Sequence, residues 1–145
     1  MRGRKILMST LIPASEWLYA YYGKMGYATV FDYTPEHYTV LEKPVADHFR
    51  VEAIRDEELL TDDVFHYFQS MMRLRPCCVQ HERDDFEVIV ESLRMDGGAL
   101  IVVYSDRNIV GMAFAEPMGN HVLIQDGMYD SDDVKQVALW GVMKY

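Results

Sequence analysis

Apolar and polar positions alternate along this chain in two distinct rhythms, and the switches between them mark out the elements. Residues 5 to 12, carrying Ile6-Leu7-Met8 and Leu11-Ile12, predict a strand, and Pro13-Ala14-Ser15-Glu16 predicts a helix start with Ser15 as cap. The helix is expected to run to about Met25, with Trp17 and Tyr21, and Leu18 and Tyr22, paired four residues apart. Gly26 then stops it, because glycine accepts the left-handed backbone of a helix C-terminus. Ala28 to Thr34 and His37 to Glu42 read as two strands of a hairpin, turned by Thr34-Pro35-Glu36.

A connector follows at Lys43 to His48, then a strand at Phe49 to Ile54. Helical spacing returns over Asp56 to Leu74, where Leu60, Val64, Phe65, Phe68, Met71 and Met72 recur with a helical period and Asp62-Asp63 is a point at which the segment could divide. Asp84-Asp85-Phe86-Glu87 has the spacing of a capping box, and Gly97-Gly98 closes the helix it opens. Ala99 to Tyr104 is a continuous apolar run expected to be a strand covered on both faces. Asp106-Arg107-Asn108 turns it into Ile109 to Ala115, and Pro117 to Asn120 turns again into His121 to Gln125. A last helix is expected over about Asp132 to Lys144. The order of elements predicts an α+β protein with a mixed, mainly antiparallel sheet flanked by helices.

Composition narrows what such a protein can do. The chain has 145 residues, half of them hydrophobic, enough to bury a core without staples. Its 23 acids against 14 bases give a formal charge of −9, which opposes general binding to nucleic acid or to anionic membranes. No apolar stretch approaches the roughly 20 residues that span a bilayer, and the reading is of a cytoplasmic protein. Cys77 and Cys78 are neighbours, poor geometry for a disulfide, and are expected to be reduced. The five histidines are scattered, so no metal-ligand spacing is present. Cys78 with His81 has the residue types of a thiol nucleophile without a third orienting group, and Arg73-Leu74-Arg75-Pro76 reads as a solvated helix end able to meet an acidic ligand.

Tyr21-Tyr22-Gly23-Lys24-Met25-Gly26-Tyr27 resembles the aromatic-Tyr-x-Lys-x-Gly-Phe motif of the GCN5-related N-acetyltransferase (GNAT) family, with Tyr27 in place of Phe. Ser15 stands where that family usually has Asn, and Leu18 where it has Ala. The resemblance implies that Tyr22 is the general acid that reprotonates the coenzyme A thiolate, and that Ser15 can hydrogen-bond the cofactor's pantetheine arm. It implies acetyl-CoA as cofactor and acetyl transfer to an amine, with the acceptor unreadable. Read from the residues alone, Tyr22 beside Trp17 and Tyr21 is a packing group.

Residues 99 to 115 resemble the second and third strands of the same family, with Ile109-Val110-Gly111 opening the third, and the elements from Phe49 onward resemble its first strand and two early helices. Residues 1–45 thus resemble the C-terminal part of a GNAT-like domain and residues 46–145 its N-terminal part, so that the usual order of the halves is reversed. Two arrangements account for that order. Either the chain is a truncated piece of a tandem protein, or the halves pack as one permuted unit, within one chain or exchanged in a homodimer. The family's pyrophosphate loop after the fourth strand corresponds to Gln125 to Asp133, which has one Gly, no basic residue and four aspartates. Those charges would repel a pyrophosphate, so the helix they open is expected to be structural. That loss favours as the alternative a catalytically inactive GNAT-like module acting in dimerisation or acyl-CoA sensing.

Overall fold

In the computed structural model the described residues are 9–30, 36–39, 44, 48–55, 60–76 and 78–144. The chain divides into two units, Met1–Tyr38 and Thr39–Tyr145. In the first, α1 (Glu16–Lys24) follows Ser15, whose backbone is extended at φ −152°, as a cap residue's should be. Its hydroxyl makes no capping hydrogen bond. Of the strand expected over residues 5 to 12, Ser9–Ile12 carry no strand, and neither do residues 28–30 and 36–39 of the expected hairpin. The rest of those segments lies outside the described residues. A strand exists only within a hydrogen-bonded ladder, and none of these described segments is part of the sheet.

The second unit is built on an antiparallel sheet of order β1-β2-β3-β4, formed by β1 (Phe49–Ile54), β2 (Ala99–Ser105), β3 (Asn108–Met118) and β4 (His121–Tyr129). Two helices lie between β1 and β2 in the chain, α2 (Asp62–Leu74) and α3 (Arg83–Met95), and α4 (Asp132–Val142) follows β4. The α+β expectation therefore holds, with a four-stranded antiparallel sheet flanked by helices. Asp62 and Asp63 do not divide a helix but open α2, where carboxylates favour the helix dipole. Residues 56–59 of the longer helix expected there lie outside the described residues.

Side chains leave the sheet alternately on two faces, and both faces are covered. Leu100 and Val102 of β2, Met112 and Phe114 of β3 and Met128 of β4 form one buried cluster with Val64, Phe65, Phe68 and Met72 of α2 and Phe86, Val90 and Leu93 of α3. Within it the Phe68 and Phe86 rings stack at 4.6 Å, and Phe114 meets both edge-on at 6.0 and 6.3 Å. On the other face Ala99, Ile101, Ala113 and Ala115 pack with Val142, and Val103 packs with Val134, Val137 and Ala138. The small alanines let α4 lie close to the strands. A Cβ on Gly141 would stand 2.6 Å from Val51 Cγ1 and 3.3 Å from Ile101 Cγ2.

Capping differs in detail from the expected box. The cap of α3 is Glu82 rather than Asp84, and the Glu82 amide donates to Asp85 at 3.1 Å. Glu87 is held elsewhere, because Arg83 Nε donates to it at 2.6 Å while the same guanidinium reaches Asp62 at 2.8 Å and the Leu60 carbonyl at 2.9 Å. Arg83 thereby ties the start of α2 to the start of α3. The end of α3 is as expected. Gly97, at φ +79°, donates to the Arg94 carbonyl and Gly98 to that of Leu93, the paired bonds of a Schellman motif.

The last two strands are longer than their apolar patterns indicate. β4 continues past Gln125 to Tyr129, paired with β3 down to Gly111↔Tyr129, across a bulge at which Phe114↔Asp126 is followed by Ala115↔Ile124. The packing of α4 on this sheet gives a test. Gly141→Ala adds up to about 1 kcal/mol of helix propensity but overpacks against Val51, which costs about 1–3 kcal/mol. The variant is expected to be less stable in urea unfolding; equal or greater stability would show that the close approach has no energetic consequence.

Candidate functional site

The first unit's candidate residues sit on one short motif. Gly26, at φ +91°, donates to the Gly23 carbonyl at 3.1 Å, and the Tyr27 amide donates to the Tyr22 carbonyl at 3.1 Å. These are the two bonds of a Schellman motif, and the apolar contact that accompanies it is the edge-on pair of Tyr22 and Tyr27 rings, 5.7 Å apart. Tyr21 also packs edge-on against Tyr22, at 5.3 Å. The Tyr27 hydroxyl is 3.1 Å from the Ser9 hydroxyl. The spacing that resembles the acetyltransferase motif is thus also the spacing of a helix stop, with Tyr22, Gly26 and Tyr27 each having a structural part in it. Tyr22 is half-buried, and Ser15 is exposed at the opposite end of the same helix.

In the second unit the polar groups converge where β4 runs into α4. Arg75, the residue after α2, donates to Asp126 from both guanidinium ends at 2.7 and 2.9 Å and to the Gly127 carbonyl at 3.0 Å. Such a fork fixes direction as well as distance. Tyr67 of α2 donates to Asp130 at 2.9 Å. Burial, helped by the bond to Asp130 and by its charge, pushes the Tyr67 phenol above its ordinary range. Burial also raises the Tyr129 phenol. These phenols hold their protons more tightly than a free tyrosine does, and Tyr67 acts as a fixed donor. Ser131 caps α4 by accepting from the Val134 amide at 3.3 Å.

The four aspartates therefore divide. Asp126 and Asp130 are engaged by Arg75 and Tyr67, while Asp132 and Asp133 are exposed in the first turn of α4. Lys135 follows Val134 in the same helix, and its charge acts on the Tyr129 phenol against the effect of burial. The corner is a structural tie between α2 and the β4–α4 junction, and its solvent side is acidic. The two exposed carboxylates there oppose a pyrophosphate.

Two readings of the sequence change accordingly, and one residue is added. Arg75 is not a solvated helix end but is clamped by Asp126. Cys78 turns its thiol to the Met72 carbonyl at 3.1 Å, with Gln80 Nε2 donating to its sulfur, while the His81 ring lies 6.1 Å from that of Phe68. The cysteine satisfies the exposed end of α2 rather than pairing with His81. Tyr67 went unnoticed because its partner lies 63 residues away, beyond any local pattern.

Elsewhere in the second unit a cleft of about 250 Å³ is lined by Arg55, Leu60, Glu87, Val88, Glu91 and Arg94 among others. It shares no residue with the β4–α4 corner. Among the described residues no group of three or more His, Cys, Asp or Glu side chains is arranged to hold a metal ion, and no helix is long and apolar enough to cross a membrane.

Two substitutions test the tie. Arg75→Ala removes a fork whose side chains are about one-third exposed, at 35% and 40%, so the expected loss is only about 1 kcal/mol by urea unfolding. For Tyr67 the folded pKa is raised, so its contribution is complete below the unfolded value of about 10 and is lost as pH rises beyond it. Stability is expected to fall with pH above about 10, and Tyr67→Phe to flatten that fall while costing about 1 kcal/mol at neutral pH. An unchanged alkaline limb in the variant would remove Tyr67 from the account. The chain matches no protein-family model and no curated protein sequence.

Proposed function

We propose that this chain is a GNAT-type N-acetyltransferase, or a piece of one, that transfers the acetyl group of acetyl-CoA to an amine. The observation that carries this reading is the architecture of the second unit. One strand, two helices on one face, a three-strand antiparallel meander and a helix on the opposite face follow one another, with sheet order β1-β2-β3-β4. That is the succession the resemblance implies for the family's first strand, two early helices, next three strands and following helix. The Gly26 helix stop, with Tyr22 one turn before it, agrees with the other half of the resemblance.

Within this reading Tyr22 supplies the proton required by the departing thiolate, and Ser15 supplies a hydroxyl to the pantetheine arm. The Ser15 hydroxyl, which makes no capping bond, is suited to a ligand contact. The carboxylates at the start of α4 oppose the pyrophosphate, so no contact with acetyl-CoA is assigned there.

A second reading, a catalytically inactive GNAT-like module for dimerisation or acyl-CoA sensing, is favoured by the same acidic turn. Asp132 and Asp133 place negative charge where phosphate would need positive potential. Calorimetry separates the two. The enzyme reading expects heat on titrating acetyl-CoA and thiol release with some member of a panel of small amines and peptides. No heat at millimolar ligand would sink it. If turnover is found, Tyr22→Phe is expected to lower it by about a hundredfold or more with affinity nearly unchanged, the signature of a group acting only on the reacting atoms. Unimpaired turnover in that variant would leave Tyr22 with its helix-stop role alone.

A further inference from the structure

We draw no further inference here: the strongest candidate, the cleft of about 250 Å³ lined by Arg55, Leu60, Val90 and Arg94 among others beside α3, carries nothing because residues 56–59, which join two of its lining residues, lie outside the described residues, so nothing in the structure shows what covers it.

Discussion

The central strands β2 and β3 are covered on both faces, and the second unit depends on that two-sided burial. Leu100, Val102, Met112 and Phe114 look towards α2 and α3, while Ala99, Ile101, Val103, Ala113 and Ala115 look towards α4. The two faces are not equivalent. Bulky side chains and a three-ring phenylalanine cluster space the two-helix layer from the sheet, whereas alanines and Gly141 bring α4 down onto it. A strand buried on one face alone would contribute half the apolar area and would fix its register less firmly.

Charge plays a secondary part, and it acts at the joints. Arg83 links the starts of α2 and α3, and Arg75 with Tyr67 links α2 to the β4–α4 junction. Each places a guanidinium or a phenol where a helix end or a strand end leaves polar groups in need of partners. For function, the consequence is that the aspartates before α4 are not a vacant anion site with the wrong charge. Two of them, Asp126 and Asp130, are structural members of the corner, held by Arg75 and Tyr67.

Much of the fold was legible in the sequence because it is written in local periodicity. The apolar run Ala99 to Tyr104 announced a doubly buried strand, and Gly26 and Gly97 announced helix stops that the hydrogen bonds realise. What escaped was whatever depends on a partner distant in sequence. β4 runs on to Tyr129 through polar Gln125 and Asp126 because β3 offers a ladder there. Arg83 reaches Asp62, 21 residues back in the chain, and so ties the start of α3 to that of α2. Cys78 and His81 are close in sequence but point to different partners.

The motif Tyr22 to Tyr27 marks the same division. By itself the sequence determined that the helix must end at Gly26, since only a residue without a Cβ takes φ +91° at little cost. It also determined the α+β class and the apolar faces, because period and turn chemistry act within a few residues. Only the tertiary structure decided that Arg75 is clamped by Asp126, that Tyr67 meets Asp130, and that α4 lies against alanines and a glycine. Those outcomes depend on side chains brought together by the folded chain, and a local pattern carries no term for them.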